Sequence, residues 1–271
     1  MLDALYYPFM QRALIAGIIL AALLAWLGVF VIMKKMSFFS DGIAHASLGG
    51  IAIGILVSVH PLTTALVFSI MFSLIIYFLE KKTTLSSDAI IGMLFTSGMA
   101  LGVVLISLRS GYQPDLVSFL FGNILAIRSF DLLIISLLSV VIIVFLIYNH
   151  KNITLMALDI DTAYLAGVRV NLLQITFYII LAVSVVLGLK ILGIILVSAL
   201  LVIPPSTAKL LSKSFKGLLV RSVCFSEGIV LLGIALSYYL DLPTGPMIVL
   251  VGTGIFLAVF CFGQLAFLDR G

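Results

Sequence analysis

Two side chains able to coordinate a cation stand four residues apart in the stretch MSFFSDGIAHASLGGIAIG, residues 36–54: Asp41 and His45. On a helix that spacing projects both from one face, about one turn apart. A carboxylate oxygen and an imidazole nitrogen are good ligands for zinc and acceptable ones for manganese or iron. Two ligands do not complete a tetrahedral site, but two copies of the chain meeting at an axis would supply two of each. The plainer alternative makes Asp41 a helix N-cap and His45 a hydrogen-bonded interior residue, since such a pair also arises by chance. Beside the pair runs a row of small residues at the same spacing, Gly42, Ala46, Gly50 and Gly54. Four small residues in register let a second helix approach closely. The stretch therefore predicts a packed interior helix with its acid and imidazole near a protein interface.

Other polar groups carry weaker signals. Glu227 lies about two turns into an apolar run and could relay a proton or attract a cation. Pairing with Arg221 or a loop lysine is the expected role. His60 and His150 fall at the ends of apolar runs, where a surface position is expected. Pro204 and Pro205 should kink or end their helix, with Ser206 and Thr207 placed to satisfy the freed carbonyls. Cys224 and Cys261 lie inside apolar runs without a CxxC partner and are expected to be small buried hydrophobes. No G-x-x-x-x-G-K-[ST] phosphate loop, G-x-S-x-G or H-E-x-x-H occurs in the chain. Nucleotide binding of the usual kind is thereby excluded, and a reading as an intramembrane hydrolase is weakened.

The elements that must position Asp41 and His45 follow from composition. Of 271 residues, 63% are hydrophobic and 10% charged, against about a quarter charged in a soluble domain. Lipid must be the outer solvent. Apolar runs of spanning length recur at 13–33, 42–59, 62–79, 89–108, 131–148, 172–189, 191–208, 220–240 and 246–267. Each must be helical, because lipid offers no partner to an open backbone. The reading is one all-α membrane domain over residues 1–271 with about nine spanning helices. The first run is too long for a signal-peptide core and is closed by Lys34 and Lys35. Hairpin-like junctions are expected at Pro61 and Lys190. The halves show no convincing internal repeat.

With nine spans, one side receives Lys34, Lys35, Lys81, Lys82, Lys151, Arg169, Lys209, Lys213, Lys216, Arg221 and Arg270. The other receives Arg12, Arg109, Arg128 and Lys190. The richer side is cytoplasmic, which puts the N-terminus outside and the C-terminus inside. Outside, residues 112–130 are apolar but too interrupted to span, and are expected to be interfacial or re-entrant. Inside, residues 149–171 form the longest polar connection. Its centre, Asp161 to Ala166, is expected to be a short helix with Asp161 near its N-terminus and Gly167 as its stop, suited to docking a soluble partner.

Four stretches, in order, carry a family resemblance: MSFFSDGIAHASLGGIAIG (36–54), PDLVSFLFGNILAI (114–127), DTAYLAGVRV (161–170) with LGIILVSALLVIPPSTA (192–208), and DLPTGPMIVL (241–250). The chain resembles the metal-ion permeases of bacterial ATP-binding-cassette importers, most of all the zinc-importing group, over essentially its whole length. Gly49, where many members have Leu or Pro, and Pro205-Ser206, where Ala-Ala is frequent, depart from the pattern. The resemblance implies a type II importer-like helical bundle in the bacterial plasma membrane and a homodimer. It also implies two cytoplasmic ATPase subunits, an extracytoplasmic metal-binding protein and no permanently bound cofactor. It makes Asp41 and His45 transit ligands for zinc, or for manganese or iron. Asp161 to Val168, with Asp161, Ala163 and Gly167, would match the helix that couples to the ATPase. Two rivals remain at this point: an ion-coupled secondary transporter and an intramembrane enzyme using His45 with Ser47.

Overall fold

The computed structural model describes residues 6–108 and 129–268. The elements in order are α1 Pro8–Met33, α2 Phe39–Leu56, α3 Pro61–Lys82, α4 Ser87–Ser107, α5 Ser129–Leu158, α6 Ile160–Leu165, α7 Val170–Leu211, α8 Phe215–Leu240 and α9 Thr244–Leu268. Among the described residues, nine helical segments are long and apolar enough to cross a membrane. The expected interfacial segment at 112–130 lies outside the described residues, save its last two positions, which open α5.

Ends follow local chemistry. Lys34 caps α1 and Lys35 takes a left-handed φ of 56°, so the chain turns where the two lysines were expected to close the helix. Ser86 and Ser214 accept from the backbone N–H of Ala89 and Gly217 at the starts of α4 and α8, each satisfying an orphan donor. The polar connection after the fifth span is more ordered than its composition implied. α5 continues to Leu158, so Asp159 alone separates it from α6.

α7 contains two spans, Val170–Leu189 and Ile191–Leu211. The backbone breaks at Gly193 (φ 79°, ψ 167°), a conformation that glycine reaches without steric cost. A Cβ on Gly188 would lie 2.7 Å from Val197 Cγ2. Nine residues of straight helix would separate them by about 13.5 Å, so the two arms fold back on each other. The hairpin-like junction expected at Lys190 turns at Gly193.

The prolines do not break this helix. Gly193 is the sole non-helical position within α7, and the second arm runs through Pro204 and Pro205 to Leu211. Thr207 Oγ1 donates to the Ile203 carbonyl at 2.8 Å, not to the Leu200 or Leu201 carbonyls that the prolines free. α1 closes on Leu201 instead. A Cβ on Gly28 would lie 2.9 Å from the Leu201 carbonyl carbon, which only a glycine admits.

α1, α2 and both arms of α7 form the interior, with Leu20, Leu23, Leu24, Leu27, Phe30 and Phe177 at 1% exposure or less. α4, α5 and α9 direct most of their surface outward. Since lipid is as apolar as the interior, helix association relies on close packing and interhelical hydrogen bonds. Ser222 and Ser226, one turn apart on α8, donate to the Ala25 and Ala21 carbonyls of α1 at 3.1 and 3.0 Å. Cys224 and Cys261 are exposed on the outer face, not buried as expected. Inside a membrane a small apolar side chain meets the same chemistry on either side.

Candidate metal-transit site

α2 packs against α3, α4 and α7. The row of small residues permits this, but it serves two neighbours and not one. A Cβ on Gly42 would come 2.7 Å from Ile91 Cγ2 of α4, and one on Gly98 of α4 would come 2.9 Å from Ala46 Cα. Gly50 faces α3 instead, where a Cβ would lie 2.8 Å from Ala65 Cα and 2.9 Å from the Thr64 oxygen. α2 is thus wedged between two backbones, and its remaining stripe holds Asp41 and His45, both half-buried.

The N-cap of α2 is Phe38, with no side-chain cap, and Asp41 lies in the first turn. The capping alternative is therefore not what the carboxylate does. Asp41 Oδ1 accepts from Ser198 Oγ at 2.6 Å, and Ser198 in turn accepts from Ser40 Oγ at 3.1 Å. Ser198 sits five residues past the Gly193 break, so the fold-back of α7 brings it to α2. A charge-assisted bond of this length fixes the carboxylate's orientation and leaves its other lone pairs free.

His45 packs edge-on to Phe95 of α4, with centroids 4.8 Å apart and planes at 87°. Its Nδ1 is buried with no hydrogen-bond partner. A buried ring nitrogen without a partner costs free energy unless a ligand completes it. Among the described residues no group of three His, Cys, Asp or Glu side chains gathers around an ion-sized space. Asp41 and His45 thus have no third such side chain beside them among those residues.

Ser47 is fully buried, and its hydroxyl donates to the Ala44 carbonyl at 2.5 Å. That removes it from a nucleophile–base pair with His45. Further along α2, Ser47 and Ile51 line a cavity of about 320 Å³ with His60, Ala65, Val186 and Leu189. His60 is exposed, as expected, and borders this cavity. His150 is half-buried in α5. Glu227 is half-buried in α8. Arg221 does not reach it, directing its guanidinium to the Leu211 carbonyl and, at 3.4 Å, to Ser212 Oγ.

At the same end of the bundle as the α1–α2 turn lies α6, tied through Asn171 to Lys81 at the end of α3. Asp161 lies in the first turn of α6, near the N-terminus as expected, and the N-cap is Asp159: the Asp159 carboxylate accepts from the backbone N–H of Asp161 and Thr162, both at 3.2 Å, and from the Thr162 hydroxyl. That hydroxyl bond, backed by the two backbone donors, holds the Asp159 carboxyl below the ordinary carboxylate range. Gly167 (φ 76°) stops the segment as expected, with its N–H donating to Tyr164 and the Val168 N–H to Ala163. Ala163 is fully buried and pins α6 to the bundle. Asp161 and Gly167 are exposed, and so are Ile160, Tyr164 and Leu165 at 41%, 47% and 90%.

Ser40, Ser198 and Phe95 are neighbours of the pair that the spacing of Asp41 and His45 did not reveal. A lone serine in the apolar run IILVSALLV was the available signal for Ser198.

The profile of the ABC 3 transport family matches residues 6–263. The high-affinity zinc uptake system membrane protein ZnuB of Haemophilus influenzae is 29% identical over 93% of this chain and 96% of its own length. The manganese transport system membrane protein MntC of Listeria monocytogenes is 33% identical over 94% of this chain and 91% of its own. A chain of PsaBC from Streptococcus pneumoniae, solved in complex with a Fab, superposes with a TM-score of 0.82 at 30% identity, over 96% of this chain and 94% of that one. With a family match spanning nearly all of its length and a solved relative of the same architecture, this chain belongs to the ABC 3 transport family, as a membrane-spanning permease and not an enzyme.

Proposed function

We propose that this permease passes a divalent transition-metal cation across the membrane, and that Asp41 and His45 hold the ion in transit. One observation carries the reading: a carboxylate oriented by Ser198 and an imidazole whose buried Nδ1 has no partner share one face of a helix wedged into the bundle. Two ligands per chain bind weakly, which transit requires. A closed zinc site of structural quality, worth on the order of 10 kcal/mol or more, would trap its cargo. A second copy of the chain, apposed across an axis, would double the ligand set. Zinc is the favoured cargo, on the nitrogen-and-oxygen pair and on the resemblance of the first motif. Relatives named for zinc and for manganese make manganese the second reading, since it tolerates the same ligands.

The importer around it has two ATP-binding-cassette subunits on the cytoplasmic face and a metal-binding protein outside. The lysine-rich side of the chain is cytoplasmic, so the N-terminus is outside and the C-terminus inside the plasma membrane. The exposed face of α6, with Ile160, Tyr164 and Leu165 around Asp161, is the ATPase contact. Buried Ala163 holds α6 to the bundle, so that a push on α6 moves the helices behind it. Alternating access follows: ion delivery from outside, ATP-driven displacement of α6, and release inward.

Asp41→Ala and His45→Ala are expected to abolish metal uptake while leaving expression and ATPase association intact. Normal uptake by both variants would refute the site. Metal uptake into liposomes without ATP would instead identify a gradient-driven carrier.

A further inference from the structure

Between α6 and the Asp41 site lies a polar cluster with no role in either. Tyr178, in the first arm of α7, has no exposed surface. Its hydroxyl donates to Glu80 Oε2 of α3 and lies 3.4 Å from Met36 Sδ. Glu80 Oε1 is buried and has no hydrogen-bond partner. The Lys34 ammonium stands over the Tyr178 ring, 5.1 Å from its centroid. Glu80 is two residues from the end of α3, where turning outward would hydrate it. Turning inward is costly, and packing alone is better served by an apolar side chain. The half-satisfied carboxylate, with an ammonium over the ring of the tyrosine that donates to it, has the makings of an element with two arrangements.

The cluster also has a neighbour on each side. Lys81, next to Glu80, donates to Asn171 Oδ1 at 2.9 Å, and the same oxygen accepts from Tyr164 Oη of α6 at 2.8 Å. On the other side Tyr178 meets Phe39 edge-on, with centroids 5.7 Å apart and planes at 83°. Phe39 is followed by Ser40 and Asp41, which share Ser198. Each step from Tyr164 to Asp41 is a direct contact or an adjacent position in the chain.

We propose that Tyr178 and Glu80 are positioning residues that carry displacement of α6 to the turn between α1 and α2, and so set the geometry of Asp41 according to the state of the ATPase. The proposal rests on the reading of α6 as the ATPase contact and of Asp41 with His45 as the transit site. When α6 moves, Asn171 and Lys81 draw on the end of α3. Glu80 then exchanges Tyr178 for Lys34, and Phe39 follows the released ring.

The test uses the permease reconstituted with its ATPase subunits in proteoliposomes, with zinc chloride and manganese chloride as probes. Metal bound, ATP hydrolysed and metal imported are measured together. Tyr178→Phe removes one oxygen and keeps the ring; Glu80→Gln keeps the shape and removes the charge. Both are expected to hold metal binding and basal ATP hydrolysis within about twofold, while metal imported per ATP falls about tenfold. Unchanged import per ATP in Tyr178→Phe would overturn the proposal, as would a loss of metal binding as large as the loss of import. Should Glu80→Gln fail to fold, Tyr178→Phe still decides. Asp41→Ala run in parallel separates the two readings: retained metal binding there indicts the transit site, whereas import per ATP in Tyr178→Phe reads the linkage alone.

Discussion

Ser198→Ala removes the one donor seen on the Asp41 carboxylate, a bond of 2.6 Å between α7 and α2. A hydrogen bond to a charged group contributes about 1.5–3 kcal/mol. Ser198 also accepts from Ser40, so its loss frees both neighbours to rotate. The carboxylate itself remains and still attracts a cation, so the loss appears as misorientation and not as removal of a ligand. At about 1.4 kcal/mol per decade, affinity for zinc should fall roughly 10- to 100-fold, the range for loss of a group that orients a metal ligand. Ser198→Thr, which keeps the hydroxyl, should recover most of it. Competition between the purified permease and a fluorescent chelator measures the affinity directly. Wild-type affinity in Ser198→Ala, or a loss that Ser198→Thr fails to repair, would refute the argument that this oxygen orients Asp41.

Two further outcomes follow from the packing and the cap. Gly50→Ala places a Cβ against the Ala65 and Thr64 backbone, which cannot give way as a side chain would; overpacking of about 1–3 kcal/mol is expected in thermal unfolding. Gly228→Ala, where the new Cβ meets open space, should show no such loss. The Asp159 cap has a pH signature. Its carboxyl lies below the ordinary range in the folded chain, so its stabilisation of α6 is fully present above that range and is lost as pH falls through the lowered value. Protection of the Asp161 and Thr162 amide protons, taken against the intrinsic exchange rate at each pH, should fall on acidification in the wild type and be low at all pH values in Asp159→Ala.

The number of spanning helices was legible because length and polarity suffice to mark them, whereas the end of α5 at Leu158 lies beyond the apolar run that announced it. Asp41 and His45 were legible as a pair because their relation is local, one turn of one helix. Ser198 was not, since 157 positions separate it from Asp41 and the Gly193 fold-back alone brings them together. Pro204 and Pro205 drew attention as the site of a break. A membrane helix carries prolines when its neighbours accommodate the freed carbonyls, as α1 does at Gly28, whereas φ 79° at Gly193 calls for glycine. Cys224 and Cys261 show what apolar composition withholds: lipid and interior select the same side chains. The buried polar residues are more telling, and among the described residues all of them are serine or threonine. Glu80 escaped notice beside Lys81 and Lys82, where a charged helix end was the natural reading.

X-ray absorption at the zinc edge tests the central claim most directly. On the zinc-loaded permease, the account predicts nitrogen and oxygen neighbours with the multiple-scattering signature of imidazole, and disappearance of that signature in His45→Ala. A zinc environment unchanged by that substitution would place the ion elsewhere and contradict the account.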